Sequence, residues 1–145
     1  MVSRFVFLFF FLCSATLVGQ DWQPSFEEAK KKAQEEEKPL LLVFSGSDWC
    51  APCIKLERFI WQSEAFKEKA QSAYILYKAD FPKKKKNQLP EALAAANKNL
   101  ASTYNPEGYF PLVVIMDKNA KVQGTMGYER LNPSKYIKSI DAFLK

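Results

Sequence analysis

The 145-residue chain contains no histidine. That absence excludes Ser-His-Asp triads, Cys-His nucleophile pairs and His-ligated zinc, and with them most hydrolytic mechanisms. Cysteine is scarce, with three residues. No second cysteine pair exists to complete a zinc site with Cys50 and Cys53, so neither a metal nor a cofactor is expected. Internal repeats are absent, as is any apolar run approaching the roughly 20 residues of a membrane-spanning helix. A composition of 48% hydrophobic and 26% charged residues excludes a disordered chain, a collagen-like chain and a coiled coil. This length supports one domain with its own core, without disulfide staples.

What is present begins with an apolar N-terminus. Phe5 to Cys13 is an unbroken apolar run of nine, preceded by Arg4 and followed by the smaller residues Ser14 to Gly19. This is the form of a secretory signal peptide, and cleavage is expected after Gly19. Residues 1–19 are thus expected to be a signal peptide and 20–145 a single mature domain, periplasmic or secreted, with no stable membrane insertion. The mature chain then keeps 20 basic residues against 16 acidic, a mild excess of positive charge. It also keeps only Cys50 and Cys53. An exported protein lives where disulfides persist.

Along the mature chain, Ser25 with Glu28 has the capping-box form and predicts a helix to about Glu37, stopped by Pro39. Leu40 to Phe44 is a continuous apolar run, the mark of a central strand buried on both faces. A helix follows Cys50, with Ile54, Leu56, Phe59 and Ile60 as its apolar face, and a short one spans Glu64 to Ala70. Ala73 to Ala79 predicts a second strand, Pro90 to Leu100 a helix, Pro111 to Met116 a third strand and Lys121 to Met126 a fourth. Asn132-Pro133-Ser134 opens a last helix with Tyr136, Ile137, Ile140, Phe143 and Leu144 on one face. This order implies an α/β domain with a four-stranded mixed sheet flanked by helices.

The chemistry lies in Trp49-Cys50-Ala51-Pro52-Cys53. The first Cys falls at a helix N-terminus, where free amides and the dipole lower a thiol from about 8.5 toward about 7 or below. The second, one turn on, is placed to attack a mixed disulfide and release the product. Cys50 is therefore expected to be the exposed, acidic thiol, while Cys53 points back into the domain. The rival reading of the pair is an inert surface disulfide. Lys83 to Lys86 form a charged loop; no aromatic residue is interleaved to suggest nucleic-acid binding, and a solvated loop is expected.

Taken together, these features resemble the thioredoxin superfamily. The likeness runs from about Glu37 to Leu144. Trp49 to Cys53 is similar to the Trp-Cys-Gly-Pro-Cys motif, Tyr109-Phe110-Pro111-Leu112 falls where the family has its cis-proline loop, and Met126-Gly127 resembles the glycine bordering the substrate groove. The resemblance implies a thioredoxin fold and a thiol–disulfide oxidoreductase whose redox group is the Cys50–Cys53 disulfide. It further implies Trp49, Ala51, Pro52, Phe110, Pro111 and Gly127 as substrate-binding residues. The expected partners are protein disulfides and an electron donor of unknown identity, for a monomer that binds no nucleic acid. A proline before the second Cys resembles the reducing members; an oxidase, an isomerase and a non-enzymatic binding module are the alternatives. Two departures stand out. Phe44 occupies the position of the family's buried acid, leaving water, Asp48 or Asp80 to serve Cys53. The stretch from Pro82 to Leu100 is longer than in a minimal thioredoxin.

Overall fold

The computed structural model describes residues 20–145; the expected signal peptide lies outside them. The first helix, α1 (Phe26–Glu35), is capped by the Ser25 hydroxyl, which accepts from the Glu28 amide at 3.2 Å. It ends earlier than the pattern suggested, because Glu37 takes a left-handed conformation (φ 54°) that turns the chain toward the sheet. Strand β1 (Leu40–Ser45) is buried along its whole length. Helix α2 (Ala51–Leu56) runs on into a π-helical turn, Glu57–Trp61, followed by α3 (Glu64–Ala73) and β2 (Ile75–Asp80). After a 3-10 turn at Lys85–Asn87 come α4 (Glu91–Tyr104), β3 (Leu112–Met116), β4 (Val122–Met126) and α5 (Pro133–Ala142).

The sheet order is β2-β1-β3-β4, with β1 parallel to β2 and antiparallel to β3, and β3 antiparallel to β4. Because side chains alternate along a strand, β1 feeds two cores. Leu41 and Val43 join Leu56, Ile60, Trp61, Phe66, Tyr136 and Ile140 beneath α2, α3 and α5. Leu40, Leu42 and Phe44 join Phe26, Ala29 and Ala33 of α1 and Tyr104 of α4 on the other face. The expected four-stranded mixed sheet with helices on both faces is present. Its β2 edge is partly covered: Trp22 forms an isolated bridge with Leu76, and the Gln23 amide donates to the Leu76 carbonyl at 2.8 Å.

Two local expectations need correcting. Ile54 and Phe59 are not core residues; they are 46% and 51% exposed, while Leu56, Ile60 and Trp61 are buried. The π turn adds a residue to the helical repeat, so Trp61 also turns inward behind Ile60 and Phe59 is left outside. At the C-terminus Phe143 is likewise exposed, its ring lying over Gly124.

Candidate active site

The loop from Ser45 to Trp49 carries the chain from the end of β1 into α2, and Cys50 is the N-cap of that helix. Its Sγ accepts from the Cys53 amide at 3.3 Å, so a helix-terminal N–H that lacks an intrahelical partner points at sulfur. Pro52 sits in the first turn, where no amide is required of it. Cys50 and Cys53 are joined in a disulfide with Cα atoms 5.2 Å apart. The expected contrast in exposure is not there: Cys50 is 5% exposed and Cys53 3%. Ala51 and Pro52 beside them are exposed. What separates the two residues is their surroundings. Cys53 Sγ accepts from the buried Gly46 amide at 3.4 Å, and Cys53 lines a cavity to which Cys50 does not contribute.

Trp49 is held in place rather than free to swing. Its indole N–H donates to the Phe81 carbonyl at 2.7 Å, its ring meets Phe110 edge-on at 5.5 Å, and the Lys83 ammonium lies 4.0 Å above it. The ring lies so close to Gly46 that a Cβ there would come within 2.4 Å of it, which is why this loop position is a glycine. The Phe110-Pro111 peptide bond is cis. A Cβ built on Gly127 would meet only the Pro111 carbonyl, at an ordinary 3.6 Å, so Gly127 lies beside the proline loop. The Gly127 carbonyl accepts from the Tyr136 hydroxyl at 2.8 Å; burial pushes that phenol up, so it stays a donor. Trp49 is thus paired with Phe110, and Pro111 with Gly127, while Trp49 directly precedes Cys50 in the chain.

The carboxylates sort differently from expectation. Phe44 faces the α1–α4 core and is near Phe81, not in the cavity at Cys53. Asp48 is occupied: it accepts from the Lys83 and Lys84 amides at 2.9 and 3.0 Å and from the Asn87 side chain at 2.9 Å. The Lys83 amide above all holds its carboxyl below the usual value. Asp80 accepts from the Ser47 amide at 3.0 Å and from its hydroxyl at 2.5 Å. The cavity that Cys53 opens on, about 390 Å³, is lined instead by Glu57, Arg58 and Lys78, with Ser45, Ser47 and Gln62. Glu57 and Lys78 form an ion pair at 2.6 Å, and the Lys78 ammonium also lies over the Trp22 ring at 4.4 Å.

The chain matches the thioredoxin-like family over residues 21–118, a span that includes the Trp49–Cys53 motif and the Phe110-Pro111 bond. The protein belongs to the thioredoxin-like family. It is 36% identical over 124 residues to the disulfide bond reductase DsbH of Chlamydia pneumoniae, covering 86% of this chain and 72% of that protein. A thioredoxin-related protein of the same organism, DsbJ, is 36% identical over 62 residues, 43% of this chain and 18% of DsbJ. Among solved structures, a DsbH oxidoreductase superposes with a TM-score of 0.80 at 33% identity, over 87% of this chain and 85% of that one. The thioredoxin of Thermus thermophilus, at 15% identity, shares the fold with a TM-score of 0.61, over 83% and 84% of the two chains. With its dithiol motif and this family, the chain is a thioredoxin-like thiol–disulfide oxidoreductase.

Two charged residues that line the cavity with Cys53 escaped the sequence reading although each left a signal. Glu57 is four residues after Cys53, hence on the same face of the helix. Lys78 is the one charged residue within the Ile75–Ala79 run, a placement that asks for a partner. Among the described residues no group of three or more His, Cys, Asp or Glu is placed to hold a metal ion, and no helix is long and apolar enough to cross a membrane.

Proposed function

We propose that the protein is a reductase of protein disulfides that works after export, with residues 1–19 as its signal peptide. The observation that carries the reading is the different placing of the two cysteines: Cys50 is the helix N-cap, its Sγ accepting from a first-turn amide, and Cys53, one turn on, lines the cavity that holds Glu57. In the reduced enzyme the Cys50 thiolate attacks one sulfur of a substrate disulfide. The Cys50–substrate bond forms, the substrate S–S bond breaks, and the departing thiolate takes up a proton. Cys53, once deprotonated, attacks Cys50 Sγ and expels the second substrate sulfur. Two electrons have then passed to the substrate, and the enzyme is left with the Cys50–Cys53 disulfide. A dithiol donor restores the reduced pair.

Trp49, Ala51, Pro52, Phe110, Pro111 and Gly127 form the groove that receives the substrate. Glu57 serves Cys53: its carboxylate lines the same cavity and accepts the thiol proton through water there, while Lys78 fixes its position. No metal or cofactor takes part in the exchange, and the enzyme acts as a monomer. The reducing direction is supported by Pro52 before the second Cys and by the disulfide bond reductase that the chain resembles along most of its length.

Reduction of insulin disulfides with dithiothreitol as donor tests this reading. The wild type should accelerate the reaction, Cys50→Ser should not, and Cys53→Ala should accumulate mixed disulfides because resolution is blocked. Wild-type protein no better than Cys50→Ser would instead fit a binding module with an inert disulfide.

A further inference from the structure

The segment that lengthens this chain, from Phe81 into α4, is tied to the redox site at three points. Asp48 holds the Lys83 and Lys84 amides, the Phe81 carbonyl accepts from Trp49, and Lys83 covers the Trp49 ring. These ties enclose a cavity of about 370 Å³ on the side of Trp49 where the segment lies. Its walls are apolar and aromatic: Trp49, Phe81, Pro82, Leu89, Ala94 and Phe110. Two of them are chain neighbours of the redox motif and of the proline loop: Trp49 precedes Cys50, and Phe110 precedes the cis Pro111. That volume is in the range of pockets that bind small molecules or large side chains.

The segment that forms one side of the cavity is rich in positive charge. Lys83 lines the cavity, and Lys84, Lys85 and Lys86 continue from it, all exposed. No carboxylate of the described residues lies within 4 Å of any of these four ammonium groups. The nearby acids are hydrogen-bonded elsewhere, Asp48 to backbone amides and Asn87, and Asp80, which also lines the cavity, to Ser47, although the Lys84 charge still acts on Asp48. Four adjacent cations beside an apolar cavity complement an acidic partner.

We propose that this cavity is a substrate subsite for a large apolar side chain flanking the reactive cysteine, and that Lys83–Lys86 selects substrates with acidic residues next to it. The inference rests on the reductase reading and names the substrate class for that site. Burial of the side chain supplies contact area, and the lysines supply a salt-sensitive attraction that raises the encounter rate.

The test compares three cysteine peptides, each supplied as its disulfide-linked dimer: one with Leu and two Asp beside the Cys, one with Ala and two Asn, one with Leu and two Lys. The wild type should reduce the Leu-Asp peptide with kcat/KM roughly tenfold or more above the Ala-Asn peptide. The Leu-Lys peptide should trail the Leu-Asp peptide, and the gap between these two should narrow as salt rises. Ala94→Phe, which fills the cavity, should cut the advantage of Leu over Ala. Replacing Lys83–Lys86 with Gln should erase the difference between Asp and Lys peptides. Equal kcat/KM for all three peptides overturns the subsite and leaves the reductase reading standing, as does a preference that neither variant changes. Failure to reduce any of the three peptides overturns the reductase reading and this inference with it.

Discussion

Cys53 must lose a proton before it can resolve a mixed disulfide, yet it is only 3% exposed, and burial in apolar surroundings disfavours a thiolate. Its cavity offers one carboxylate, Glu57, with Arg58 and Lys78 as the other charged groups facing it. This makes Glu57 the residue whose loss is most diagnostic. Glu57→Gln keeps the shape and removes the base. Single-turnover resolution of a Cys50 mixed disulfide should slow roughly a hundredfold at neutral pH, the lower end of general-base effects. The deficit should shrink as pH rises past about 8.5, where a free thiol ionises unaided. Rapid-quench kinetics across that range provide the readout, because a merely structural defect would not recover with pH. A pH-independent deficit would assign Glu57 to packing instead. Phe44 shows why the acid was hard to locate from the sequence. Its position in the motif directs attention to β1, while the side chain at that register faces the opposite core.

At the scale of elements, the decisive joint is the loop from β1 to α2 and the segment clamped on it. Asp48 ties residues 83–87 to this loop through hydrogen bonds to a carboxylate held below its ordinary value of 3.8. A depressed carboxyl contributes its tie in full above the unfolded value and loses it as pH falls through the folded one. The segment should therefore stay clamped from neutral pH down to about pH 5 and loosen below 3.8. Asp48→Ala should show the loosened state already at pH 7, as faster hydrogen exchange at the Lys83 and Lys84 amides and altered Trp49 fluorescence. Unchanged exchange in that variant would show that Trp49 and Phe81 hold the segment without it. Several elements were legible because local residues announce them: Ser25 as a cap, the β1 apolar run and Asn132-Pro133 at α5; the cis bond at Pro111 is expected from the family resemblance alone. The outward turn of Phe59 was not legible, because a helical pattern assumes 3.6 residues per turn and the π turn at Glu57–Trp61 departs from it; Ile54 lies before that turn, on the side of α2 away from Leu56. Nor was the contact of Gly46 with Trp49, which depends on where a ring folds back in space.

The whole molecule combines a sheet with a core on each face, the Cys50–Cys53 pair at the start of α2, and an N-terminal segment outside the described residues. If residues 1–19 are an export signal, intact mass of the protein recovered from the periplasm or medium should lack about 19 residues, and a full-length membrane-bound product would contradict export. For the Cys50–Cys53 pair to give electrons to substrates, its reduction potential must be low. Equilibration of the purified mature domain with glutathione redox buffers, with the reduced fraction followed by alkylation, measures it directly. The reducing assignment predicts a potential near that of thioredoxin, about −270 mV. The range of isomerases begins about 90 mV higher, equivalent to about 4 kcal/mol for a two-electron couple. A value above about −180 mV would contradict the reductase assignment while leaving the thioredoxin fold in place.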